Sequence, residues 1–99
     1  MADDIVQVAG DYYSFLPFNR ELSEEFFTSF ALRSNSLEQL KDEIGSPNID
    51  PYMGWDCYYR ISENRYVDCY FMGDVIEKFS VVDSKERLYT IWEAEDTEN

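Results

Sequence analysis

Between Trp55 and Phe71 apolar and polar side chains alternate, stop, and alternate again. Trp55, Cys57, Tyr59 and Ile61 fall on one side of an extended chain, with Asp56, Tyr58 and Arg60 on the other. Past Ser62-Glu63-Asn64-Arg65, the residues Val67, Cys69 and Phe71 form a second apolar set, with Tyr66, Asp68 and Tyr70 opposite. A period of two belongs to strands, because successive side chains on a pleated backbone point to opposite faces. Two such runs joined by a short polar segment predict an antiparallel hairpin with one apolar side.

Register is tightly constrained in such a hairpin, since a slip of one residue exchanges the faces. Aligning Ile61 with Val67 brings the apolar sets together and predicts an odd-length loop, with Asn64 or Arg65 in the irregular position. In that register Cys69 faces Tyr59 and Cys57 faces Phe71, so the thiols are diagonal and further apart than a disulfide comfortably spans.

The pattern continues. Met72-Gly73-Asp74-Val75 places glycine first in a two-residue turn, as type II′ requires, and VIEKFSVVD reads as a third strand. DSKE then turns the chain into a fourth, RLYTIWE. The N-terminal IVQVA and DYYSFLPF are further strands, separated at Gly10, that could extend the sheet.

Two helices precede the meander. Ser36 and Gln39 have capping-box spacing, Gly45 suits the position after the last turn, and Pro47 prevents continuation. Leu37, Leu40 and Ile44 share its apolar stripe, while Glu38 and Asp42 face water one turn apart. The earlier helix is predicted to start from Asn19 as N-cap and run through RELSEEFFTSFALR, with Glu21, Glu24 and Glu25 near its positive end and Arg33 near its negative end. Leu22, Phe26 and Phe30 repeat along it, with Phe27 widening the stripe toward a sheet. The expected fold is α+β: an antiparallel meander of about four strands packed with two helices, in one compact domain over residues 1–92. SPNIDPYMG reads as a loop, and the acidic segment 93–99 reads as a disordered tail.

Several function classes are hard to reconcile with this chain. It lacks histidine, the usual general base near neutral pH and the commonest zinc ligand. Two cysteines with eleven residues between them fall short of a structural zinc site, and Asp56, Asp68, Asp74 and Glu77 do not have calcium-loop spacing. With 21 acids in 99 residues, close carboxylate pairs arise by chance, so a glycosidase-like pair carries little weight. The expectation is a protein with no enzymatic activity, no cofactor and no bound metal. No apolar run approaches the roughly 20 residues that span a bilayer, and MADDIVQV lacks the positive charge and apolar stretch of a secretory signal, so a cytoplasmic setting is expected.

Charge is the outlying quantity. Against 21 acids stand 8 bases, a net charge of −13. Free nucleic acid and anionic membranes are held mainly by Lys and Arg and are poor partners; a basic protein is favoured. Candidate partner-binding residues are Glu21, Glu24, Glu25, Glu38, Asp42 and Glu43 on the helices, and Asp56, Tyr58, Tyr66, Asp68 and Tyr70 on the sheet face opposite the cysteines. That face is an open aromatic surface if the helices cover the cysteine side, and is closed if the two helices, or the N-terminal segments, cover both faces.

By analogy, a small, acidic, histidine-free α+β chain looks like the functional class of bacterial and phage inhibitors that neutralise nucleic-acid enzymes. The leading expectation is an inhibitor whose carboxylates occupy the basic groove of a nuclease or defence effector, encoded by a phage against host restriction or CRISPR machinery. An immunity protein guarding a bacterium against its own nuclease toxin fits the same chemistry. An adaptor that pairs through an aromatic sheet face, with itself as a homodimer or with another subunit, is the alternative from a different class.

Overall fold

The computed structural model describes residues 4–17, 20–51 and 54–94. Along the chain these form β1 (Asp4–Val8), β2 (Asp11–Phe15), α1 (Glu24–Ala31), α2 (Leu37–Ile44), β3 (Asp56–Ser62), β4 (Arg65–Met72), β5 (Val75–Val82) and β6 (Arg87–Glu93). Strands β3 to β6 make the expected antiparallel meander, in sequence order. The N-terminal strands do not extend it. They pair with each other in a separate two-stranded sheet.

Register differs from the sequence expectation by two residues. Cys57 lies opposite Cys69 and Tyr59 opposite Val67, where alignment of Ile61 with Val67 was expected. Glu63-Asn64 forms a tight turn closed by the Ser62–Arg65 pair, and a bulge at Ile61 absorbs the extra residue, so neither Asn64 nor Arg65 is irregular. A shift of two preserves the faces, which is why the alternation still sorts the side chains correctly. The second turn follows expectation: Met72 pairs with Val75, and Gly73 has a φ of 64°.

Helix α2 begins where its capping signal lies. The Ser36 hydroxyl accepts from the Gln39 amide at 3.2 Å, and Leu37 and Leu40 are buried. Helix α1 is shorter than the periodicity predicts. Its cap is Ser23, whose hydroxyl accepts from the Phe26 amide at 3.2 Å; the expected cap, Asn19, lies outside the described residues. Phe27 and Phe30 form its buried edge, Leu22 and Phe26 are half-buried, and Arg33 lies beyond the helix end.

The result is three layers around two cores. Phe27, Phe30, Leu37 and Leu40 from the helices meet Cys57, Tyr59, Val67, Cys69, Ile76 and Phe79 on one face of the large sheet. On the other face Tyr58, Tyr66 and Val82 meet Val8 and Phe15 of the β1–β2 hairpin and Ile49 of the connecting segment. Trp55, expected on the helix-covered side, precedes β3 and is exposed.

The segment read as a loop is a structural clamp. Asn48 is buried; its side chain donates to Leu16 O at 2.7 Å and accepts from Arg60 N at 2.9 Å, joining hairpin, segment and sheet. Ile49 bridges β3, with Ile49 N donating to Tyr58 O and Tyr58 N to Ile49 O. Glu93, expected in the tail, ends β6, and Ala94 N donates to Glu77 O; residues 95–99 lie outside the described residues.

Candidate interaction surface

The structure separates the acidic candidates into free and engaged groups. Glu21, Glu25, Glu38 and Asp42 are exposed. Glu38 and Asp42 stand one helical turn apart, with Cβ atoms about 6 Å from each other. Glu43 is held in a two-pronged contact with Arg33 at 2.6 and 2.7 Å, which depresses its carboxyl to about 2 and cancels its charge toward a partner. Glu24 is half-buried and accepts from the Tyr89 hydroxyl at 2.6 Å, tying α1 to β6.

One helix-associated acid escaped the sequence reading. Asp74, placed in the turn before β5, accepts from the Ser36 hydroxyl at 2.7 Å and from Glu38 N at 2.8 Å, so it serves as a second cap of α2 from another hairpin. Serine spacing marks that helix start in the sequence, but nothing local announces a carboxylate from across the fold.

The sheet-face candidates come together, yet the face is closed over most of them. Tyr58, Tyr66 and Asp68 are buried, and Asp56 and Tyr70 are half-buried. The cause is the hairpin: Tyr13 lies 5.5 Å from Tyr58, and Phe15 meets the Tyr66 ring edge-on at 6.3 Å. Of the arrangements open to the sequence, coverage of this face by an N-terminal segment is the one adopted.

On this face lies a buried carboxyl. Asp68 is 2% exposed; its Oδ2 accepts from Arg87 at 3.2 Å, while Oδ1 has no donor. Burial pushes the Asp68 carboxyl up to about 8, helped by the hydrogen bond and charge of Asp56 and opposed by Arg87. Burial likewise raises the Tyr58 phenol, with the Asp68 charge adding to it.

The cysteines are directly opposed, correcting the diagonal arrangement expected from the sequence. Both are free and buried, and hydrogen bonding with Cys57, together with burial, raises the Cys69 thiol well above its ordinary range. Such a thiol has little thiolate character and little reactivity. Among the described residues no three of the His, Cys, Asp and Glu side chains converge to hold a metal ion. None of the described helices is long and apolar enough to cross a membrane.

Most of the cations are committed to internal work. Arg20 donates to Ile44 O, Ser46 O and Asn48 Oδ1 and lies 5.2 Å from the Tyr59 ring centre. Arg60 covers Phe15 at 5.6 Å, and Lys78 covers Tyr70 at 5.8 Å. Among the described residues the ion pairs are Arg33–Glu43 and Arg87–Asp68, so most carboxylates have no basic partner within the fold. No protein-family model, curated protein or solved structure matches the chain.

Proposed function

We propose that this protein is a non-enzymatic inhibitor that binds the basic nucleic-acid-binding surface of a nuclease or defence effector and excludes its substrate. The observation that supports this reading is the division of charge: the net charge is −13, Arg20, Arg33, Arg60, Lys78 and Arg87 are engaged inside the fold, and Glu21, Glu25, Glu38 and Asp42 are exposed. Carboxylates fixed on α1 and α2, as Glu25, Glu38 and Asp42 are, with Glu21 just before α1, can occupy Lys and Arg sites that otherwise hold phosphates, and the summed field accelerates encounter. A phage protein directed at host restriction or CRISPR machinery is the leading setting, and nuclease-toxin immunity uses the same contacts. The adaptor reading loses its main support, because Tyr58 and Tyr66 are buried against the hairpin.

The reading is tested by capturing partners on the tagged protein from host and phage-infected lysates, with low-salt and then high-salt washes. A basic nuclease or nucleic-acid-binding effector that elutes with salt, and whose activity the protein blocks at equimolar amounts, is the expected result. Combined reversal of Glu21, Glu25, Glu38 and Asp42 to Lys should abolish capture; unchanged capture contradicts the electrostatic reading.

A further inference from the structure

The β1–β2 hairpin turns through Ala9 and Gly10, whose φ values are 51° and 90°, in a two-residue turn closed by the Val8–Asp11 pair. Two positive values mark a type I′ turn, whose flanking pair exchanges both backbone hydrogen bonds. Those bonds alternate along an antiparallel ladder. Val6–Tyr13 and Asp4–Phe15 are therefore hydrogen-bonded pairs, while Gln7–Tyr12 and Ile5–Ser14 are not. The backbone N–H and C=O groups of Tyr12 and Ser14 consequently point away from β1. Leu16 has the same orientation, and its N–H confirms it by donating to Asn48 O at 2.8 Å.

Beyond Leu16 the two segments diverge. Tyr12, Tyr13 and Ser14 form one wall of a cleft of about 410 Å³, and Ile49, Asp50 and Pro51 form the other. The backbone groups of Tyr12 and Ser14 face this space without a partner among the described residues. The two edges of the four-stranded sheet are less inviting. Strand β6 is interrupted by bulges at Leu88 and Ile91, which disfavour added strands, and β3 is already bridged by Ile49.

We infer that the cleft between β2 and residues 49–51 accepts an extended, Lys- or Arg-bearing segment of a basic partner, which adds as a strand to β2 at Tyr12 and Ser14. Strand addition draws affinity from backbone hydrogen bonds and specificity from alternate side chains. The charge fits a basic segment: Asp50 lines the cleft, Asp11 begins β2, and no Lys or Arg is among the lining residues. The exposed ring of Tyr12 offers a cation–π surface to an incoming Lys or Arg. This inference rests on the inhibitor reading and adds to it the part of the partner that is gripped.

The test is a titration of the full, 15N-labelled chain at low salt with a short blocked peptide alternating lysine and valine, and with its glutamate–valine counterpart. The expected result is shifts and slowed hydrogen exchange at the Tyr12 and Ser14 amides with the lysine peptide alone. Ser14→Pro removes one cleft-facing N–H without touching the β1 ladder and should weaken binding by roughly tenfold. The wild-type exchange measurement stands even if that variant misfolds. Lysine-peptide binding mapped to Glu25, Glu38 and Asp42, with Tyr12 and Ser14 unchanged, overturns the cleft and leaves the inhibitor reading intact. Absence of any lysine-peptide binding overturns the cleft and also counts against recognition by charge.

Discussion

Asp68 reaches Arg87 with one carboxyl oxygen at 3.2 Å, while its other oxygen is buried without a donor. Its carboxyl is raised to about 8 in the fold, above the unfolded value of about 3.9. The folded state therefore holds a proton that the unfolded chain releases. Its stabilising effect is fully present below the unfolded value and is lost as pH rises through the folded one. Asp68→Asn keeps the shape and supplies a permanent amide donor. Its stability relative to the parent chain, measured by urea unfolding between mildly acidic and mildly alkaline pH, should rise with pH at a slope of at most about 1.4 kcal/mol per unit. A pH-independent difference contradicts the raised Asp68 carboxyl.

Phe27 is fully buried, with Phe79 at 5.2 Å and Tyr59 at 5.8 Å between ring centres. Phe27→Ala should cost about 3–5 kcal/mol through lost transfer energy and the cavity left behind. Trp55→Ala, at a site 61% exposed, should change unfolding free energy by less than about 0.5 kcal/mol. The larger residue then matters less, which a pair of denaturant titrations checks.

Asp74 caps α2 from the β4–β5 turn through Ser36 and Glu38 N. Asp74→Ala should destabilise the fold by about 1–2 kcal/mol, with faster amide exchange in the first turn of α2. Asp74→Asn, which keeps an acceptor oxygen, should recover part of that loss. Equal effects of the two substitutions would contradict the capping role.

Ala9 occupies a left-handed position, with a φ of 51°, that costs an alanine roughly 1 kcal/mol. Ala9→Asn creates the Asn-Gly pair that type I′ turns prefer and should stabilise the chain by about 0.5–1 kcal/mol. The gain is read as a higher urea midpoint with an unchanged slope.

The fold was legible wherever the pattern was local. Period-two alternation specified β3 to β6, glycine placed the Gly73 turn, and Ser36 marked α2. Register was not legible, because a bulge at Ile61 and a tight turn at Glu63-Asn64 give the same faces as a longer loop. Coverage of Tyr58 and Tyr66 was equally hidden, since it depends on where Val8 and Phe15 dock. Asn48 illustrates the remaining difficulty: in a proline-flanked segment it reads as a loop residue, and only its partners Leu16 and Arg60 make it a clamp. Of the candidate surface, exposure of Glu38 and Asp42 followed from helical spacing. Neutralisation of Glu43 by Arg33, ten residues away in sequence, did not.

The most direct measurement of the central claim is inhibition by the captured partner's own assay, with nuclease or nucleic-acid binding activity followed against added protein at increasing salt. Stoichiometric inhibition that weakens with salt, competes with nucleic acid and vanishes when Glu21, Glu25, Glu38 and Asp42 are reversed to Lys is the predicted result. Inhibition indifferent to both salt and charge reversal, or a captured partner with no basic nucleic-acid-binding surface, would contradict it.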